Sequence, residues 1–236
     1  MCTVSWLHNG DSYQLLCNRD EKLSRAPAFP PRIQERNGVR YIAPMDGNFG
    51  GAWIGTNEYG VSICLLNGAG GTAGRRSRGL LIPELLTTGS SSIQVAECVS
   101  TSDLSPFAPF TLAILEPGES TTVIEWDGEE RAIAPAPCMP LVSSSFDPQG
   151  VRIRRREEFE RRLDAAGKLD SSVLFAFHES HGRRADAYSP CMHRADAKTV
   201  SFSWVRVTNS TVDFFYAPEA PCKWMPDQSQ ALELKR

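Results

Sequence analysis

The sequence predicts an α+β layered domain, and three observations carry the prediction. Strand-like runs, helical runs, more strands, more helices and a last set of strands follow one another in blocks. A chain of 236 residues can bury roughly 70 to 75% of the surface it would expose when unfolded, so one domain over residues 1–236 needs neither metal nor disulfide to hold its core. No internal repeat or low-complexity segment interrupts the succession.

Residues 2–7 and 12–18 are rich in Val, Trp, Leu and Tyr and flank "HNGD", which reads as a β-hairpin. Asn9 and Gly10 suit a type I′ turn, whose two positive φ angles few other residues adopt at low cost. With those two residues as the loop, partner numbers sum to 19, so Cys2 lies opposite Cys17, with Asn18, Arg19 and Asp20 just beyond. A slip of one residue exchanges which of Arg19 and Asp20 shares the face of Cys2. The proline-rich "RAPAFPPRI" reads as an ordered crossing loop. Strands are expected at 39–43, 51–55 and 61–66, the last two joined at "TNEYG". The loop "GAGGTAGRRSRG" precedes a helix over "RGLLIPELL", which Ser77 caps and which tolerates Pro83 only in its first turns. A short helix over 90–100 leads to strands at 110–115, 120–126 and 130–134. Helical patterns over 150–166 and 170–181 close on Gly167 and Gly182. Strands near 199–207 and 210–217 turn at Asn209, and a polar tail follows.

Composition narrows the function classes. Hydrophobic residues make up 41% and charged residues 22%, and a formal charge of -3 offers no bulk attraction to nucleic acid or anionic membranes. Polar groups recur every few positions in the first twenty residues, which excludes a signal peptide or membrane span there. The seven cysteines form no C-x-x-C pair and no zinc-type spacing, so no metal is expected. An odd, scattered set reads as free thiols in a reducing, cytoplasmic compartment. Nothing in the sequence speaks to oligomeric state.

Cys2 is the sharpest candidate for chemistry. Removal of the initiator methionine, expected before a small residue, leaves one residue carrying both a thiol and an α-amine of pKa about 7.7 to 8.0, which can take the thiol proton. Nucleophile and base then share a residue, with no histidine required. Asp20 supplies a carboxylate to hold the amine, and Arg19 a guanidinium that favours thiolate.

The stretches "LLCNRDEKLSR", "GGAWIGTNEYGVSICLLN" and "SRGLLIPELL" resemble the NRDE family, to which the transport and Golgi organisation type 2 proteins belong. The resemblance covers roughly residues 1–90 strongly, and the C-terminal third more loosely through "CMHRADAKTVSFS". That family is similar in turn to the N-terminal nucleophile hydrolases of the choloylglycine hydrolase and penicillin acylase group. The resemblance implies a four-layer αββα sandwich and cleavage of a non-peptide amide bond by an N-terminal cysteine, here Cys2, with Asp20 near its amine. It implies an oxyanion site at Asn67 and the backbone N–H of Gly68, from "GVSICLLNG". Two positions depart from the hydrolase pattern. Cys17 stands where those enzymes carry an arginine three places before the aspartate, and Ser144, in "LVSSSFD", takes the place of an asparagine donor. Losing one good oxyanion donor typically costs about 100 to 1000 fold in rate.

The implied function is hydrolysis, or acyl transfer, at an amide or thioester of a small molecule, with no cofactor. The alternative is a non-catalytic protein on the same scaffold that binds haem or a hydrophobic lipid or acyl-CoA ligand. Asn18 and Trp53 are further substrate-binding candidates; Trp53 suits either a pocket wall or the core. The loop of residues 68–79 suits a backbone nest for an anion, with Arg75, Arg76 and Arg78 adding charge, and lacks the ending of a P-loop. His193 and Arg194, in "SPCMHR", suit a substrate carboxylate, a metal or a structural role. His178 and His181, in "HESH", suit a helix C-terminus, where imidazolium interacts favourably with the dipole. "RIRRREEFERR" reads as a solvated helix face pairing Glu157 with Arg161 and Glu158 with Arg162.

Overall fold

The computed structural model describes residues 2–68, 70, 74–223 and 228–235. The initiator methionine and part of the glycine-rich loop, on which the anion nest was to rest, lie outside these residues. The first strands are β1 (Cys2–Asn9), β2 (Ser12–Lys22), β3 (Phe29–Arg36), β4 (Val39–Met45), β5 (Ile54–Asn57) and β6 (Ser62–Asn67). Helices α1 (Leu81–Leu86) and α2 (Ser92–Thr101) follow, then β7 (Phe110–Leu115), β8 (Thr122–Trp126), β9 (Arg131–Pro135) and β10 (Leu141–Ser143). Helices α3 (Pro148–Ala166) and α4 (Ser171–Glu179) lead to β11 (Ala197–Val207), β12 (Thr211–Ala217) and β13 (Gln228–Glu233).

Two antiparallel sheets result, in the orders β10-β1-β2-β11-β12-β13 and β3-β4-β5-β6-β7-β8-β9. Alternation along the strands gives each sheet two apolar faces. The inner faces meet in a core that includes Val4, Leu15, Ile42, Ile54, Leu66 and Phe214. On the outer face of the second sheet, Ile63, Leu65 and Leu112 pack with Ile82, Leu85 and Val99 of α1 and α2. Leu16 and Phe202 of the first sheet pack with Phe159, Leu174 and Phe177 of α3 and α4. The layers therefore run helix, sheet, sheet, helix: the expected αββα sandwich. Each fully buried aliphatic or aromatic side chain contributes about 1.5–3 kcal/mol, and three such interfaces lock the sheets' mutual placement.

The hairpin register differs from the sequence expectation. Asn9 pairs with Ser12 and Cys2 with Arg19, so partner numbers sum to 21 and the loop is Gly10-Asp11. Gly10 takes the positive φ, 57°, in the first loop position, as a type II′ turn requires, and Asp11 needs none. The two-residue shift preserves parity. Cys2, Val4, Cys17 and Arg19 share the inner face, whereas Thr3, Asn18 and Asp20 share the outer one.

Two segments expected to be irregular contain strands, and a third strand falls where none was expected. "RAPAFPPRI" enters β3, whose prolines sit at an edge where the register shifts between Phe29 and Arg32, as proline's missing N–H demands. Residues 141–143 form β10 beside β1, and part of the polar tail forms β13. Ser77 precedes a single 3-10 turn without a side-chain cap, and Pro83 falls in the first turn of α1. Helix α3 is only partly the solvated surface expected. Its charges pair as Glu158 with Arg161 and Arg162 and as Arg154 with Glu157, while Val151, Arg155 and Phe159 form a buried stripe.

Candidate active site

Cys2 begins β1 at the end of the inner face, between β2 and β10. Its backbone nitrogen donates to the hydroxyl of Ser143, its partner on β10, at 3.0 Å. The thiol is buried against Cys17, whose own sulfur lies 3.7 Å from that of Cys64. The hydrogen bond to Cys17 and burial together raise the Cys2 thiol well above its usual 9.0, so it rests in the neutral form. Cys17, one of the two departures from the pattern that the resemblance implied, therefore acts on the Cys2 sulfur directly.

Arg19 faces the same way as Cys2. Its guanidinium stacks 4.4 Å over the ring of Trp53 and donates to Asp46 at 2.6 Å. Arg25 donates to both Asp46 oxygens, at 2.8 and 2.7 Å. Burial pushes the Asp46 carboxyl up, but Arg25, the Phe49 N–H and Arg19 outweigh it and hold the group below the ordinary carboxylate range. Arg19 is thus fixed from two sides. Trp53 serves both roles weighed for it: it belongs to the inner core and also walls a cleft, and its buried indole N–H has no hydrogen-bond partner among the described residues.

That cleft, of about 420 Å³, is bordered by Cys2, Arg19, Trp53, Asn67, Arg75 and Arg78. Burial lowers the pKa of Arg78, and proximity to Cys2 opposes the shift; its Nη1 donates to the Pro109 carbonyl at 2.7 Å. Arg76 pairs with Glu84 instead. Asn67, exposed at the end of β6, also borders a second cleft of about 550 Å³ with Ser143, Ser144 and Arg194. The two clefts meet at Asn67 and Arg78, giving the neutral thiol a cationic surround.

Several expected site residues are placed differently. The Gly68 N–H, expected at an oxyanion, donates to the Pro109 carbonyl at 2.8 Å, and a Cβ there would come within 2.6 Å of that backbone. Asn18 points outward, donating to the carbonyls of His178 and Pro190 at 2.9 Å each, and so tethers α4 rather than touching the cleft. Ser144 accepts from the Phe146 N–H at 3.1 Å, and it is Ser143 that meets Cys2. Arg194 stacks on Phe146 at 4.9 Å and pairs with Asp196 at the rim. His193 turns away from both clefts, toward Cys191 and Cys222.

Asp20, on the outer face, sits one position past the Cys2–Arg19 pair, at the level where β1 begins. Its carboxylate accepts from Arg155 Nη2 at 2.9 Å and from Thr199 Oγ1 at 2.6 Å, and Arg155 also bonds Thr3. Asp20 and Arg155 are both fully enclosed. Arg155 is the residue that sequence reasoning missed, hidden in a run of surface charges; its signal was the i, i+4, i+8 spacing with Val151 and Phe159. His178 does not cap its helix as imidazolium. It is completely buried with Nε2 2.8 Å from the Ser5 hydroxyl, and burial lowers its pKa to about 3, so it is neutral.

Solved structures share the fold of this chain. The chain superposes on an N-acylethanolamine-hydrolyzing acid amidase ortholog from Caenorhabditis elegans with TM-score 0.62 and 15% identity, covering 98% of this chain and 100% of that one. A variant of the conjugated bile acid hydrolase from Clostridium perfringens matches with TM-score 0.59 and 13% identity over 99% and 92% of the two chains. Penicillin V acylase from Agrobacterium tumefaciens matches with TM-score 0.57 and 9% identity over 99% and 86%. At these identities the likeness establishes a shared N-terminal nucleophile hydrolase fold. No curated protein matches the chain. No helix among the described residues is long and apolar enough to cross a membrane. The Transport and Golgi organisation 2 family matches residues 1–198, and the chain belongs to that family.

Proposed function

We propose that the protein is an N-terminal-cysteine hydrolase or acyltransferase that acts on a non-peptide amide or thioester of a small molecule bearing an anionic group. The observation that carries this reading is the position of Cys2, at the start of a strand, bordering a cleft it shares with Asn67, Arg19 and Arg78. Once the preceding residue is removed, the Cys2 nitrogen is an amine held by the Ser143 hydroxyl, with Asp20 at the same end of the ladder. The amine takes the thiol proton as sulfur attacks the carbonyl carbon, and the Asn67 side chain donates to the developing oxyanion. The intermediate collapses by breaking the C–N or C–S bond of the substrate. The amine's proton goes to the leaving group, and water or another acceptor then releases the acyl group from sulfur. Arg19, immobilised on Trp53 and Asp46, offsets the thiolate charge, and Arg75 and Arg78 suit the anionic group.

Intact mass and turnover test the reading together. The purified protein should lack Met1, hydrolyse members of a panel of acyl amides and acyl-CoA thioesters, and carry a trapped acyl group on the Cys2 peptide. Equal turnover by Cys2→Ala, or an active protein with its initiator intact, would overturn it. One observation favours the binding alternative: Cys17 and burial hold the thiol neutral. If that reading is right, the same acyl-CoA, or haem, binds wild type and Cys2→Ala equally and neither turns it over.

A further inference from the structure

A second cluster of side chains stands apart from the two clefts that meet at Asn67 and Arg78. His181, Cys191, His193 and Cys222 come from three separate segments: the stretch just after α4, the loop before β11 and the turn after β12. Their ligand atoms all lie within 4.8 Å of one another. His193 Nε2 is 3.5 Å from the sulfur of Cys191 and 3.3 Å from that of Cys222, and the rings of His181 and His193 meet edge to face with centroids 5.1 Å apart. The expectation of no metal rested on spacing along the chain, which this gathering bypasses.

The geometry has a specific meaning. Bonds of about 2.3 Å to sulfur and about 2.0–2.1 Å to nitrogen, at tetrahedral angles, separate a ligand sulfur from a ligand nitrogen by about 3.5 Å. Both observed sulfur–nitrogen separations match the edges of such a tetrahedron. Two thiolates and two neutral imidazoles cancel a dication's charge and are the donors a borderline-soft ion prefers over magnesium or calcium. Four protein ligands leave no open position, the arrangement of a structural rather than a catalytic ion.

We propose that His181, Cys191, His193 and Cys222 form a structural zinc site. Binding breaks two S–H bonds and releases two protons to solvent as two Zn–S and two Zn–N bonds form. The ion joins α4 to the loop of Cys191 and His193. That loop is bonded through the Met192 N–H to Thr199 Oγ1 at 2.9 Å, and through that hydroxyl to Asp20 at 2.6 Å. Arg194 at the cleft rim follows the ligand His193 directly. Zinc therefore anchors the outer-face scaffold of Asp20 without touching the reacting atoms, whatever the cleft binds.

Elemental analysis tests this on the full-length protein, reduced, loaded with zinc and dialysed. Wild type and Cys98→Ser, which alters a thiol outside the cluster, should each retain one zinc per chain. In competition with a chromophoric chelator, Cys222→Ser and His181→Ala should each lose about 100-fold or more in affinity, at or beyond the upper end of what losing an outer-shell partner costs. Cobalt-loaded wild type should show the intense visible bands of a tetrahedral thiolate site, and both variants should lose them. Cys222→Ser and His181→Ala change residues at the surface end of the cluster, and far-ultraviolet circular dichroism confirms that they fold. The proposal is overturned if reduced wild type retains no zinc, if both folded variants bind as tightly as wild type, or if Cys191 and Cys222 form a disulfide that bars the ion even under reductant.

Discussion

The two faces of the β1–β2 ladder are built from alternate residues of the same two strands yet solve opposite problems. The inner face carries Cys2, Cys17 and Arg19 to the mouth of a cleft, where the thiol is neutral and the guanidinium is pinned by Asp46 and Trp53. The outer face carries Thr3, Asn18 and Asp20 into the helix layer, where Asp20 and Arg155 are both fully enclosed. Desolvating two charges offsets much of what their attraction returns, so this pair stabilises only as a complete set. The difference teaches that chemistry and positioning are separated by strand parity: one face holds the reactive groups and the other fixes where they stand.

The sharpest way to break that division is to strand one charge. Arg155→Met should destabilise the protein by about 3–5 kcal/mol in urea unfolding, because Asp20 stays buried without its partner, and Arg155→Lys should recover little of it. On the inner side, Asn67→Ala should lower kcat about 100 to 1000 fold while shifting stability by no more than about 0.5 kcal/mol, since the residue is exposed. A stability loss equal to that of Arg155→Met would erase the contrast.

Acid probes the outer face through His178. The folded pKa of His178 is depressed, so its neutral form adds stability above its ordinary 6.5, and that stability is lost as pH falls toward about 3. The Tm of wild type should therefore fall through this window, and that of His178→Gln, which has no ring to charge, should fall less. The gentlest probe is Cys17→Ala, which removes the hydrogen bond that most raises the Cys2 pKa. Alkylation of Cys2 at pH 8 should quicken by about tenfold if the thiol pKa drops by one, for a cavity cost of about 1 kcal/mol. In wild type the same rate should climb only as pH rises past the ordinary thiol value of 9.0.

Much of the fold was legible because its signals are local. Runs of β-prone residues bounded by turn signals announced β1, β2, β6 and β7, and Gly167 marks the end of α3 in the left-handed conformation its lack of a Cβ permits. Failures fell where two local solutions compete. Asn9-Gly10 and Gly10-Asp11 both make plausible two-residue turns and put the same residues on the inner face, so the pattern along the chain does not choose between them; the ladder adopts the second. Prolines in β3 read as a loop because an edge strand, which tolerates a missing N–H, looks the same in sequence as a segment without a partner.

Sequence by itself determined the candidate nucleophile, the acidic and basic residues that follow it within one hairpin, and an α+β layered domain, since each depends on residue type and on short spacings, while the sandwich was what the resemblance to the family implied. Tertiary structure alone decided that Arg155 holds Asp20, that Ser143 rather than Ser144 meets Cys2, that Pro109 occupies the Gly68 N–H, and that two histidines and two cysteines converge. Each of those joins residues from separate segments, and their distances are set by how the layers pack, a quantity that spacing along the chain does not encode.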